Sequence, residues 1–228
     1  MAIQTVMFDF SGTLFRLEHR QSWFAGLVDD DGKPLDADEQ AELLRRMTAP
    51  VTLTVDLDDE HREAWERRDL DPELHHKAYL EILRQSGVPG TAQAETLYRR
   101  LIDPAEWTPY PDTAAVLKEL SGAGVKVGVL SNIAFDIRPA FTARGMDAHI
   151  DEFLLSYEVG LVKPDPDVFR TLVERLGSPA ESTLMVGDHT AADGGARDIG
   201  CEFALVEPLP TAERPDGLRA ALREHGVL

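Results

Sequence analysis

The spacing of apolar and polar positions divides the chain into two regimes. Residues 1–10 carry Val6, Met7, Phe8 and Phe10 with little polar interruption, the pattern of a strand buried on both faces. From about Phe15 to Trp107 the apolar positions recur at helical spacing. A helix is expected over residues 19–28, with Trp23, Phe24 and Leu27 on one side. Asp36 stands three residues before Glu39, as in a capping box, and opens a helix to Met47. Asp58 caps a third helix to Arg68. Pro72 occupies the first turn of a fourth, which runs to Gln85 and stops at Gly87. A fifth covers residues 92–102. Residues 29–34 read as a loop and residues 51–55 as an extended connector.

Pro109-Tyr110-Pro111 punctuates the change of regime. Beyond it, helices over 112–123, 138–144, 165–176, 191–199 and 216–225 alternate with strands over 125–130, 152–155, 183–186 and 202–206. Strands alternating with helices over short connections imply a parallel sheet covered by helices on both faces. The fold class is therefore α/β: a Rossmann-like core from residues 1–14 and 109–228, discontinuous in sequence, with an all-helical insertion over residues 15–108. The insertion is expected to sit over the carboxyl ends of the strands, hinged near residues 14–18 and 105–110, and to close on a ligand.

Composition narrows the classes of function. The chain has 228 residues, 43% of them hydrophobic, which supports a substantial core. No apolar run is long enough to span a bilayer, and no membrane association is expected. The first residues show no basic stretch leading into a hydrophobic one, and the single cysteine, Cys201, has no partner within the chain. Both features fit a cytoplasmic location. A net charge of −18 disfavours a nucleic-acid partner. It does not exclude a small anion, because a metal or one lysine inverts the sign locally.

In open α/β sheets ligands bind at the carboxyl ends of the strands. The polar residues expected there are Asp9, Ser11 and Thr13, then Ser131 and Asn132, then Lys163, then Asp188 with Asp193 five residues on. Carboxylates, hydroxyls and one lysine on a single edge suit phosphate together with a hard cation. Cys201 reads as a small core residue, and Trp23, Phe24, Leu27, Leu43 and Leu44 as packing within the helical insertion. Arg67-Arg68 and His75-His76 read as solvated helix faces.

DFSGTL, LSN, KPDPDVF and VGDHTAAD, in that order and each at an expected strand end, resemble the haloacid dehalogenase superfamily. The insertion after the first motif resembles that superfamily's C1-type helical cap. The resemblance implies a hydrolase in which Asp9 is the nucleophile, taking up a phosphoryl group as an aspartyl-phosphate. It implies Mg2+ held by Asp9, the Ser11 carbonyl and Asp188, with Asp193 orienting Asp188 or a metal-bound water. Gly12, Thr13, Ser131 and Asn132 would contact phosphate, and Lys163 would neutralise the nucleophile and the transferring oxygens. His189, beside Asp188, is not required as a ligand. The substrate class implied is a small phosphorylated metabolite; the oligomeric state is left open.

One position departs from the pattern. Most phosphatases of the superfamily carry a second aspartate two residues after the nucleophile, which protonates the leaving oxygen and then activates water. Here that residue is Ser11, whose hydroxyl is too weak an acid and base near pH 7. Its loss is worth about 10²–10⁴-fold on alkyl phosphates. Haloacid dehalogenases resemble this departure, since halide leaves without a proton, but they usually lack the carboxylate at Asp188. Phosphonoacetaldehyde hydrolases resemble it too and use an insertion lysine, for which only Lys33 and Lys77 are available. A module that binds metal and phosphate with little turnover is the third reading.

Overall fold

The computed structural model describes residues 2–28, 31–48, 56–88 and 90–228. Strands β1 (Thr5–Phe8) and β2 (Phe15–Leu17) precede helices α1 (Ala37–Thr48), α2 (Asp59–Glu66), α3 (Pro72–Gln85) and α4 (Thr91–Leu101). Then come β3 (Trp107–Pro109), α5 (Thr113–Gly122), β4 (Lys126–Ser131), α6 (Arg138–Thr142), β5 (Glu152–Leu155) and α7 (Ser156–Val159). The chain ends with α8 (Pro166–Arg175), β6 (Thr183–Gly187), β7 (Glu202–Leu205) and α9 (Gly217–Glu224). Among the described residues no helix is long and apolar enough to cross a membrane. Asp29 and Asp30 of the expected loop, and the whole connector over 51–55, lie outside the described residues.

Strands β5, β4, β1, β6 and β7 form one parallel sheet in that order. β1 takes the centre because every residue in it is buried, so both of its faces need cover. Val6 and Phe8, with Val127, Val129, Leu184 and Val186, line one face and pack with Val116, Leu117 and Leu120 of α5 and Leu218 and Leu222 of α9. Met7, Leu130, Leu154 and Met185 line the other and pack on Val168, Phe169, Leu172 and Val173 of α8. Cys201 joins this second layer as a buried thiol. Phe8, the last residue of β1, pairs with Val129 on one side and Val186 on the other, so β4 and β6 run on past β1 to Ser131 and Gly187. From β1 the chain adds β4 and β5 on one side and then crosses to add β6 and β7 on the other, so the crevice between β1 and β6 is the topological switch point.

Helix boundaries follow the local chemistry. Asp36 Oδ1 accepts from the Asp38 and Glu39 N–H groups, and Glu39 Oε2 accepts from Asp36 N–H at 2.8 Å, a closed capping box. Asp71 caps α3 at the Glu73 N–H, with Pro72 in its first turn. Three expectations fail. Residues 19–28 form only a 3₁₀ turn, Gln21–Trp23, because Gly26 takes a φ of +82° that ends the helical path. Phe15 and Leu17 are instead buried about a half-exposed Arg16, with the period of two of a strand, and β2 pairs antiparallel with β3. Residues 193–199 wind as 3₁₀ rather than α-helix.

The β2–β3 ribbon is where the chain leaves the sheet and returns to it. Glu106 Oε2 ties the two crossings by accepting from Trp23 Nε1 at 2.9 Å and Arg20 Nη1 at 3.3 Å. Trp23, Phe24, Leu27, Leu43 and Met47 of the helical segment share one apolar cluster with Phe10, Phe15, Trp107 and Phe141 at the sheet. Phe10 lies 5.0 Å from Phe15 and 4.9 Å from Trp107, centroid to centroid, at this junction.

Candidate active site

Three strand ends and one loop supply the polar residues of the crevice. Asp9 follows β1, Ser131 and Asn132 close β4, and Asp188 follows β6. Lys163 comes from the loop between α7 and α8. Asn132 fixes that loop from both sides. Its Nδ2 donates to the Lys163 carbonyl at 2.9 Å, and its Oδ1 accepts from the Lys163 N–H at 2.8 Å. This clasp aims the lysine inward, where Nζ donates to Asp9 Oδ1 at 2.6 Å, Asp193 Oδ1 at 2.7 Å and the Leu130 carbonyl at 3.2 Å. Asp193 Oδ2 accepts from the His189 N–H at 2.9 Å, so both of its oxygens are committed.

Oxygens of Asp9, Asp188 and Asp193 lie within 4.8 Å of one another, a grouping that could hold a metal ion. Asp9 and Lys163 are each 6% exposed and Asp193 only 1%. Three carboxyls thus face one ammonium in a region of low dielectric. Burial pushes Asp9 up to about 7; Lys163 opposes this, and Asp193 and Asp188 add to it. Burial, then Asp193, push Asp188 up to about 6. Burial pulls the Lys163 ammonium down, but Asp193 and Asp9 together hold it above the ordinary lysine value, so it stays charged. The site therefore carries more negative charge than its own cation balances.

Close packing holds the carboxylates where they are. Gly12 has a φ of +77°, and a Cβ there would lie 2.2 Å from Asp188 Oδ2. A Cβ on Gly195 would lie 2.8 Å from Pro164, which locks the turn after Asp193 against the Lys163 loop. Arg214 is a residue that sequence reasoning missed. It is buried over the Tyr110 ring, and its guanidinium donates to the Gly12 carbonyl at 2.7 Å and to the Thr13 carbonyl. Nothing in the local sequence near Arg214 announces this, because the Gly12 and Thr13 carbonyls it binds are some two hundred residues away.

A cavity of about 860 Å³ opens above this edge. Asp9, Ser11, Gly12, Ser131, Asn132, Lys163, Asp188 and Asp193 line it, and His189 stands beside them with Nδ1 accepting from the Ala192 N–H. Thr13 is fully buried and is not among the lining residues. The far wall belongs to the helical segment, including Arg45, Arg68, Asp69, His75 and Tyr79. His75 corrects the expectation of a solvated face: it is 4% exposed, packed against Tyr79 and Tyr98, and its Nδ1 meets Tyr98 Oη at 2.9 Å. Burial pushes its imidazole down to about 3, so it is neutral.

Comparison with known proteins agrees with this geometry. A family model for haloacid dehalogenase-like hydrolase matches residues 3–200. A haloacid dehalogenase-like hydrolase domain-containing protein 3 from Danio rerio is 33% identical over 130 residues, 57% of this chain and 51% of that protein. A ribulose-1,5-bisphosphate 5-phosphatase from Halopiger xanaduensis is 33% identical over 160 residues, 66% of this chain and 64% of that protein. The matches to these curated relatives thus span about half to two thirds of their lengths. Among solved structures, L-2-haloacid dehalogenase from Xanthobacter autotrophicus superposes with a TM-score of 0.64 at 23% identity, over 96% of this chain and 83% of that one.

Proposed function

The chain belongs to the haloacid dehalogenase-like hydrolases, and on that premise we propose that it is a Mg2+-dependent phosphatase of a small phosphorylated metabolite. Asp9 accepts the phosphoryl group and releases it to water. The observation that carries this reading is the charge imbalance of the site: two buried carboxyls, Asp9 and Asp193, and the partly buried Asp188 stand against one lysine, with Asp9 and Asp188 pushed above their ordinary range. A divalent cation removes that imbalance, and the donor set fits one. Asp9 and Asp188 would hold Mg2+ together with the Ser11 carbonyl, an all-oxygen set of the kind that ion takes. Asp193, with both oxygens already engaged, orients rather than ligates. Bound there, Mg2+ supplies the positive charge that lets a carboxylate and a phosphate approach. Lys163 holds Asp9 for attack and meets the charge that develops on the transferring oxygens. Ser131 faces the same cavity and binds phosphate, while Asn132, its amide spent on the Lys163 backbone, holds the lysine loop. Ser11 offers no carboxyl for proton transfer. Phosphatase chemistry in the Halopiger xanaduensis relative supports the reading.

The same Ser11 favours a second reading, carbon–halogen hydrolysis, in which the leaving group needs no proton. The carbon–phosphorus alternative loses ground, since neither Lys33 nor Lys77 is among the cavity-lining residues. The test is to load the protein with acetyl phosphate or p-nitrophenyl phosphate and Mg2+, quench in acid and map the modified residue by mass spectrometry. Phosphate on Asp9, lost in Asp188→Asn along with calorimetric Mg2+ binding, is the expected result. Halide release from 2-chloropropionate without Mg2+, and no phosphorylation of Asp9, would establish the second reading instead.

A further inference from the structure

Hydrolysis through Asp9 needs a proton at one step and a base at the next. The leaving alkoxide must be protonated as its bond to phosphorus breaks, and the water that attacks the aspartyl-phosphate must lose a proton. Among the described residues, four carboxyls line the cavity: Asp9, Asp69, Asp188 and Asp193. Three of them form the charged cluster on the sheet edge. Asp69 alone stands outside it, on the turn Arg68–Leu70 of the helical segment, where it lines the same cavity.

Its placement is built rather than incidental. Ser156 is fully buried; its hydroxyl donates to the Asp69 carbonyl, and its oxygen accepts from the Ile133 N–H at 2.8 Å. Ile133 adjoins Asn132, which clasps the Lys163 backbone. One chain of contacts thus ties the Asp69 backbone to the loop that carries the lysine. The Asp69 side chain is 22% exposed, towards the cavity it lines, and among the described residues its one ion pair is to Arg68 at a loose 3.5 Å. Arg68 is itself held over the Trp65 ring at 3.8 Å and by the Trp65 carbonyl.

The other candidates in the cavity are poorer. His75 is neutral and bonded to Tyr98. Burial pushes the Tyr79 hydroxyl up to about 12. His189 spends Nδ1 on a backbone N–H, and His19 stacks on Phe24 with Nε2 at 3.3 Å from Gln40.

We propose that Asp69 is the catalytic proton donor and acceptor of this site, doing from the helical segment what Ser11 cannot do from the sheet. In the first half-reaction the Asp69 carboxyl gives its proton to the ester oxygen as the P–O bond breaks and Asp9 bonds to phosphorus. The alcohol leaves, and Asp69 becomes a carboxylate. In the second half-reaction that carboxylate takes a proton from water as the water oxygen bonds to phosphorus. Asp9 is freed, inorganic phosphate forms, and Asp69 is again protonated. Burial raises Asp69, against the opposing charges of Arg68 on its own turn and Lys163 on the facing loop, which suits a group that must start each cycle protonated.

This inference rests on the phosphatase reading, and the second half-reaction tests it without knowledge of the natural substrate. Asp9 is phosphorylated with acetyl phosphate and Mg2+, the donor is removed, and decay of phospho-Asp9 is followed by intact mass spectrometry after acid quench. Asp69→Asn should slow the decay by about 10²–10⁴-fold. It should also remove the rise in decay rate that the unmodified protein shows as pH increases. Asp69→Ser is run beside it as a smaller replacement. Ser11→Asp added to Asp69→Asn should restore decay, which a merely structural role for Asp69 would not allow. Equal decay in the unmodified protein and both Asp69 variants would overturn the assignment while leaving the phosphatase reading intact. Failure of any protein to form phospho-Asp9 would overturn both.

Discussion

Without a metal, Asp9 should oppose folding near neutral pH. Its carboxyl moves from 3.8 when free to about 7 in the folded chain, a direction set by burial and by two neighbouring carboxyls. A raised folded value means that the unfolded chain releases this proton first as pH rises. Asp9's contribution to stability is therefore complete below pH 3.8 and is lost as pH passes through about 7. At about 1.36 kcal/mol per unit, the full loss is about 4 kcal/mol, comparable with a large share of a domain's net stability. Asp9→Asn keeps the shape of the neutral acid and cannot ionise. Urea denaturation in EDTA, repeated from pH 4 to pH 8, isolates the residue as the difference between the two proteins. The difference should be small at the acid end and should grow to about 4 kcal/mol in favour of the variant at pH 8. With Mg2+ present the ordering should reverse, because a bound cation stabilises only the chain that retains the carboxylate. A difference that stays constant across pH would show that Asp9 is not held in a charge-deficient site, and the argument for a metal there would fail with it.

Two further substitutions probe the supports of the cluster. Lys163→Ala leaves Asp9 and Asp193 without their shared cation and should cost about 3–5 kcal/mol at pH 8, less at pH 5 where Asp9 is protonated; a pH-independent loss measured by urea denaturation would contradict this. Gly12→Ala must move either the turn or Asp188, because the new Cβ would lie 2.2 Å from Asp188 Oδ2 at a φ that disfavours side chains. It should cost about 1–3 kcal/mol in thermal unfolding and should weaken Mg2+ binding by calorimetry, while unaltered binding would show that Asp188 is not fixed by this contact.

The parts of the molecule that local chemistry determines were legible in the sequence. α3 spans the expected Pro72–Gln85 because Asp71 and Pro72 set its start independently of the rest of the chain. The Asp36–Glu39 box was readable for the same reason. The parallel sheet followed from alternation alone, and it brought Asp9, Asn132, Lys163 and Asp188 to one edge by a rule about strand ends rather than by any contact visible in sequence. What was not legible depends on partners far along the chain. β2 and β3 are three residues each and gain their identity only by pairing across ninety positions. His75 looks solvated beside His76 until Tyr79, Tyr98 and Phe135 close around it. Arg214 and Asp69 carry no motif, and both reach the site through tertiary contacts.

This division has a consequence for how the proposed chemistry is controlled. Every group assigned to phosphoryl transfer comes from the sheet edge, where buried strands and the Asn132 clasp hold it rigidly. The group assigned to proton transfer comes from the helical segment, which meets that edge through Ser156 and through the ribbon tied at Glu106. An acidic leaving group departs without a proton, so phosphorylation of Asp9 by acetyl phosphate needs the sheet edge alone. Alkyl transfer and attack by water need the helical segment in place as well. On the Asp69 proposal, turnover depends on the helical segment being in place, and a ligand that holds it away from Ser156 would leave phospho-Asp9 formed and stranded. On that proposal, a proton carrier on the helical segment makes completion of the reaction depend on how that segment is seated, which a carboxylate at position 11 would not do.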